Sequence, residues 1–390
     1  RHAALYNKLF ALVKQIGQVS FLRALLARLL GQSKSLLQLL NERNKQSVMF
    51  LKTIGYDAPA SQSSQNENEE ATLAQTIVSL WNGLQQYSDE FKKFDEETAE
   101  LEKRLIENEP NNNETNNDSD EKSVRNALEN KYVETLTELQ FDESEMDYTK
   151  HHYASFITQE KTISRPKTLR AAQEQSSLCT SLPISLSSSV FVRVDSNRLD
   201  VLRALITGPD DTPYANGCFQ FDIFLPTNYP DGPPLVNLQT TGGGTVRFNP
   251  NLYNCGKVCL SLLGTWRGDA SENWNRNTST LLQVFVSIQS LILVEKPYFN
   301  EPSYEMSMHT PQGKRESENY NQNIRWATMQ HAILGQLKNP AKGFEDVIKT
   351  HFKLKKDVVL KQCKEWVDKA NRTYSSSITQ CLKNIEIELE

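Results

Sequence analysis

Between residues 189 and 241 the hydrophobic residues of this chain fall into a period of two, a spacing that only short strands satisfy. VFVRVDS (190–196), LDVLRALITG (199–208), CFQFDIFLP (218–226) and LVNLQTT (235–241) alternate or cluster β-branched and aromatic residues. GPDDTPYANG (208–217) and PTNYPDGPP (226–234) separate them and are dense in the residues that set turn geometry. Strands joined this closely pair with their neighbours in sequence, so the segment predicts a four-stranded antiparallel meander. The flanks carry helical spacing instead. Upstream, over residues 5–56, leucines recur three and four apart at Leu22, Leu25, Leu26, Leu29 and Leu30 and again at Leu36, Leu37, Leu39 and Leu40, with Gly17, Gly31 and Gly55 as breaks. A second helical stretch, residues 71–106, follows the polar SQSSQNENEE (61–70) and carries Trp81, Tyr87 and Phe94 on its apolar side. Downstream, residues 280–294 and 319–389 return to the helical period. Helices, then a sheet, then helices predict the α+β class, with an all-helical region ahead of it.

ENEPNNNETNNDSDE (107–121) has no apolar residue and cannot offset the entropy of ordering, so it reads as a disordered linker. A helical piece at 123–139 and the acidic FDESEMDYTK (141–150) follow it. Four segments result: a helical region 1–106, an acidic Asn-rich linker with a short helix 107–150, the sheet-bearing domain 151–320, and a helical C-terminal extension 321–390. The net charge of −5 gives no global reason to bind nucleic acid or an anionic membrane. The longest apolar run, LLQVFVSIQSLILV (281–294), is interrupted by Ser287, Gln289 and Ser290 and predicts a buried helix rather than a membrane span. Arg23 and Arg28 break FLRALLARLL, which argues against a secretory signal. Six scattered cysteines fit a reduced, cytoplasmic protein better than a disulfide scaffold. The chain begins at Arg1 without an initiator methionine and reads as a fragment. The leucine-rich N-terminal helices make self-association an expectation.

Chemistry concentrates in RFNPNLYNCGKVCLSLLGTW (247–266), where Cys255 and Cys259 stand four apart after an Asn-Pro-Asn turn. Most thiols are inert small core residues, but the turn-rich NPNLYNCGK and the nearby Lys257 favour a thiol held at a rim, where it can ionise. A zinc clip would need two further ligands, and no second Cys/His pair lies close by. A Cys-His hydrolase would need an orienting histidine, for which His309 and His331 are the candidates, neither in a recognisable signature. TTGGGT (240–245) lacks the Gly-Lys-Ser/Thr end of a phosphate loop and reads as a flexible turn before a strand. Nothing calls for a metal or a cofactor.

Three blocks, in this order and at these gaps, resemble the ubiquitin-conjugating enzyme family. GPDDTPYANG (208–217) is similar to its Gly-Pro to Tyr turn, PTNYPDGPP (226–234) to its Tyr-Pro-Pro-Pro turn, and NPNLYNCGKVCLSLL (249–263) to its active-site segment, the resemblance covering about 166–313. It implies the family's ubiquitin-conjugating fold, a four-stranded antiparallel meander with flanking helices. It also implies a catalytic Cys259, eight residues after Asn251, that carries ubiquitin as a thioester. Cys255 is then a partly exposed bystander. Asn251 supports the oxyanion or braces the loop that does, and in KPYFNEPSY (296–304) Glu301, with Asn300 as runner-up, aligns with the gate residue that positions and deprotonates the acceptor lysine. The implied partners are ubiquitin, the ubiquitin-activating enzyme and protein substrates, with no nucleic acid and no membrane span. The alternatives are conjugation of another ubiquitin-like modifier and a non-catalytic ubiquitin-binding module.

The departures from the family pattern carry their own expectations. Asn249 stands where the family usually has a histidine, yet it can still hydrogen-bond the loop, so activity is expected. Asp231 replaces an apolar residue in the Tyr-Pro-Pro-Pro turn, and WRGDASENWNRNTS (266–279) replaces the Ser-Pro-Ala loop with a longer, polar one. The apolar anchors for a separate RING ligase are missing at both places. These departures, with NIRWATM and VIKTHFKLK downstream, resemble the giant inhibitor-of-apoptosis subgroup. That likeness implies a hybrid conjugating enzyme and ligase, anti-apoptotic in its full-length context and either cytoplasmic or peripheral on Golgi or endosomal membranes.

Overall fold

A computed structural model describes residues 9–16, 26, 35–53, 65–107 and 116–390. The chain divides into two compact units, Arg1–Ser119 with Ala172–Thr180, and Asp120–Ala171 with Ser181–Glu390. In the first, α1 (residues 9–16), α2 (Leu36–Thr53), α3 (Gln65–Leu84) and α4 (Ser88–Glu107) meet over a core that includes Phe10, Val13, Leu40, Ile77, Leu80, Leu84 and Phe91. Ile77, Leu80 and Leu84 supply the stripe that makes α3 worth burying. Trp81 and Tyr87 pack at the edge of this core, but the aromatic that α4 inserts is Phe91, not Phe94, because Phe91 lies on the stripe that α3 faces. Leu22, Leu25, Leu29 and Leu30, the breaks at Gly17, Gly31 and Gly55, and residues 108–115 of the expected linker lie outside the described residues.

The second unit is built on one five-stranded sheet in the order β1-β2-β3-β4-β5. Strands β2 (Val190–Asp195), β3 (Val201–Thr207), β4 (Cys218–Phe224) and β5 (Leu235–Leu238) form the expected antiparallel meander. Val192 lies opposite Ala204, Ala204 opposite Phe221, and Phe221 opposite Leu238, so one row of side chains crosses the sheet. The added strand is β1 (Phe141–Ser144), taken from the acidic lead-in and paired parallel to β2 with Phe141 opposite Val192. Four residues with a single apolar one give no legible period; Gln140 seats the strand from outside it. Its side-chain Nε2 donates to the carbonyls of Leu182 and Pro183, while the Val192 N–H donates to its own carbonyl. The segment expected as a linker with a short helix therefore holds a strand and the 22-residue helix α5 (Asn116–Thr137), whose Tyr132 and Leu136 are fully buried.

Helices α6 (Ala154–Gln159) and α7 (Arg165–Ser181) precede the meander. After it, α8 (Leu281–Ser287) starts at a capping box in which the Thr280 and Gln283 side chains each bond the other's backbone N–H, and it winds into a π-helical turn, Ile288–Ile292. Helix α9 (Pro311–Ala327) likewise runs through a π-helical turn, Thr328–Leu334, into α10 (Gly335–Lys338). Helices α11 (Glu345–Leu354), α12 (Lys356–Asp368) and α13 (Ser375–Leu389) complete the chain. Phe344, Phe352, Val359, Cys363 and Ile385 of this tail join Phe191, Leu205 and Cys218 of the sheet in one buried cluster. Each such aliphatic or aromatic side chain contributes about 1.5 to 3 kcal/mol by leaving water. Residues 321–390 thus share a core with the sheet. No described helix is long and apolar enough to cross a membrane.

Candidate active site

The thiol segment is aimed by a sequence of turns that leave little choice of backbone. Gly242, Gly243 and Gly244 all take positive φ after β5, and the chain then reaches Phe248 without forming a paired strand. Tyr214, fully buried in the 208–217 turn, donates its hydroxyl to the Phe248 carbonyl at 2.7 Å and fixes the entry to Asn249-Pro250-Asn251. Asn249 is 0% exposed and spends its whole amide on the turn. Its Nδ2 donates to the Ile292 carbonyl at 2.8 Å and to the Tyr214 hydroxyl at 3.2 Å, and its Oδ1 accepts the Asn251 N–H at 2.8 Å. The residue standing in place of the family histidine therefore links the π-helical end of α8 to the active-site turn. On the return, Gly256 (φ +84°) passes so close to β5 that a Cβ would lie 2.2 Å from Asn237 Oδ1. Its carbonyl accepts the Leu238 N–H at 2.7 Å, which ties the loop to the sheet edge.

Cys259 and Asn251 face each other through a reciprocal pair of bonds. The Cys259 N–H donates to the Asn251 carbonyl at 2.9 Å, and Asn251 Nδ2 donates to the Cys259 carbonyl at 2.9 Å. Thr265 closes the other side: its hydroxyl donates to the Val258 carbonyl at 2.7 Å and accepts the Leu260 N–H at 3.1 Å. Cys259 is only 2% exposed, so the expectation of a thiol standing open at a rim is corrected. Burial pushes the Cys259 thiol up, and the cations of Lys257 and Arg247 pull it back down by less. Cys255, by contrast, is exposed. Among the described residues neither His309 nor His331 bonds or electrostatically couples to Cys259: His331 packs edge-on against Trp326, and His309 lines a separate cavity.

Glu301 and Asn300 reach the 249–251 turn by different routes. Asn300 Nδ2 donates to the Leu291 carbonyl at 2.9 Å and approaches Asn249 Oδ1 at 3.3 Å, so it braces the turn. The half-exposed Glu301 carboxylate pairs with Arg247 at 3.3 Å, and Arg247 in turn donates to the Pro250 carbonyl at 2.7 Å and stacks over Tyr253. Arg247 is the residue that sequence reasoning missed. Its only sequence signal was a cation two residues before the Asn-Pro-Asn turn, which spacing cannot distinguish from a surface charge. On the neighbouring turn, Trp274 of the 266–279 loop donates its indole N–H to the Pro230 carbonyl at 2.8 Å and packs against Tyr229, and Arg276 pairs with Asp231. The two loops that depart from the family pattern are thus closed on each other.

Comparison with known proteins points to one family. Residues 170–328 match the sequence model of the ubiquitin-conjugating enzyme family. Over 256 residues the chain is 54% identical to the human dual E2 ubiquitin-conjugating enzyme/E3 ubiquitin-protein ligase BIRC6, covering 63% of this chain and 5% of that protein. It is 37% identical over 341 residues to the probable ubiquitin-conjugating enzyme E2 R521 of Acanthamoeba polyphaga mimivirus, covering 86% of this chain and 22% of that one. It is 39% identical over 246 residues to the putative ubiquitin-conjugating enzyme E2 38 of Arabidopsis thaliana, covering 63% of this chain and 72% of that protein. With a shared family model and a relative matched over most of its length, the chain belongs to the ubiquitin-conjugating enzyme family.

Proposed function

We propose that Cys259 accepts the C-terminal carboxyl of ubiquitin from the thioester of the activating enzyme and passes it to a lysine of a substrate protein. In the first transfer the Cys259 thiolate attacks the incoming thioester carbonyl, and the activating enzyme's thiolate leaves. In the second, a lysine amine attacks the Cys259 thioester, Cys259 leaves as thiolate, and the amine loses its proton. A thiol suits both steps because a thioester keeps the acyl group activated. The observation that carries the reading is the reciprocal bonding of Asn251 and Cys259 at 2.9 Å each way. An Asn amide has two N–H donors, and only one is spent on the Cys259 carbonyl, so the second is available to an oxyanion. Bracing and oxyanion support are then one role. Incubating the chain with activating enzyme, ATP and ubiquitin should give an adduct that reductant removes; an adduct with another ubiquitin-like modifier but none with ubiquitin would shift the reading to that modifier, and none with either would leave a binding module.

Glu301 is proposed as the group that positions the acceptor lysine and takes up its proton, held ready by Arg247. Glu301→Ala should charge at the normal rate and discharge to free lysine at least about tenfold more slowly, since positioned general bases commonly supply 10²- to 10⁴-fold. Equal discharge rates would remove Glu301 from the mechanism. The chain spans 5% of the human relative's length, whose name describes a dual conjugating enzyme and ligase. The same combined activity is proposed for the protein this chain represents, and the mutual closure of the 229–232 and 266–279 loops supports it by engaging Asp231 and Trp274 within the chain. An anti-apoptotic role is proposed from the resemblance of the 226–279 and downstream segments to the giant inhibitor-of-apoptosis subgroup.

A further inference from the structure

A cleft of about 440 Å³ opens beside Pro250 and Glu301 and is walled by Tyr298, Tyr304, Tyr320 and Trp326. Tyr298 lies at its centre, with ring centroids 4.8 Å from Tyr304 and 6.0 Å from Tyr320. Elsewhere in the unit Tyr132, Tyr148 and Tyr214 each bond their hydroxyls to a protein group. Here none of the three hydroxyls, nor the Trp326 indole N–H, has a hydrogen-bond partner among the described residues. Burial pushes the Tyr320 phenol up and keeps it a donor. The cleft's one carboxylate, Glu301, is paired with Arg247, so the two charges largely offset each other there.

Flat aromatic faces with unused donors fit one kind of peptide best. Proline packs its ring on aromatic faces, has no N–H of its own, and in the polyproline II conformation leaves its carbonyls outward and unpaired. The cleft is continuous with the catalytic turn, because Arg247 bonds the Pro250 carbonyl one residue before Asn251. Resting on the reading of Cys259 as acyl carrier, we infer that this cleft holds an extended, proline-rich segment of the acceptor protein next to the lysine being modified. It would make the acceptor's own sequence a determinant of which lysine is chosen.

The test is isothermal titration of the uncharged chain with a short acetylated peptide carrying one lysine beside a run of prolines, and with matched peptides in which alanine, arginine or phenylalanine replaces the prolines. The proline peptide should bind at least about tenfold more tightly than the alanine peptide. Tyr304→Ala should remove most of that preference, and Tyr320→Phe, which keeps the ring and deletes the donor, about fivefold of it. Equal affinities for the proline and alanine peptides, a tighter arginine or phenylalanine peptide, or a preference untouched by both variants would overturn the inference. Because the chain is uncharged in this experiment, a failure to form a thioester would strike the acyl-carrier reading and leave the cleft standing, whereas a chain that charges normally and shows no proline preference would strike the cleft alone.

Discussion

Cys259→Ala should abolish the ubiquitin adduct entirely, and Cys255→Ala should leave it intact. The two thiols are only four residues apart, but Cys259 alone is held by Asn251 on one side and bracketed by the Thr265 clasp on the other. Their electrostatics sharpen the expectation. Burial pushes the Cys259 thiol above its ordinary range, so at neutral pH little of it is thiolate, and the nucleophile is the thiolate. The initial rate of charging should therefore keep rising as pH passes about 8.5, the ordinary thiol value, by up to about tenfold per unit below the folded value. Lys257 and Arg247 oppose the rise, so Lys257→Ala or Arg247→Ala should move the profile to higher pH. A charging rate that levels off below about pH 7 would mean a thiol ionised more readily than this environment permits.

Asn249→Ala should cost about 2 kcal/mol of stability and slow both transfers. The side chain is fully buried, and its removal strands the Asn251 N–H, an unsatisfied buried donor worth about 1 to 3 kcal/mol. Other partners are less affected: the Ile292 carbonyl still accepts the Val294 N–H, and Tyr214 still donates to Phe248. The loss is thus focused on the residue that holds Cys259. A melting temperature lower by about 5 °C is expected. Asn249→His supplies one donor and one acceptor, the pair that Asn249 directs to Ile292 and Asn251, and should retain more discharge activity than the alanine variant. Identical activity in the two variants would show that the turn does not depend on this pair.

The meander was readable because period-two patterning and turn residues act locally, and β2 to β5 fall where those signals lie. β1 was not, since its pairing depends on Gln140 reaching the 182–183 carbonyls, a contact some 40 residues away in sequence. The helix read at 123–139 was found, but not its start at Asn116 or its burial: its charged sequence has almost no amphipathic signal, and Tyr132 is buried by tail helices that sequence order places far from it. At the site, the gap between Asn251 and Cys259 could be counted. The depth of Cys259 could not, because burial of a loop residue is set by tertiary packing that spacing does not carry. Arg247 was illegible too, since its role comes from Glu301, 54 residues on.

The central claim is that one particular sulfur carries ubiquitin. Charging the chain with activating enzyme, ATP and ubiquitin, digesting it without reductant and locating the adduct by tandem mass spectrometry tests it directly. The ubiquitin C-terminus should be found linked to Cys259, with Cys255 a free thiol in the same digest. Ubiquitin linked to Cys255, or to another residue while Cys259 stays free, would contradict it.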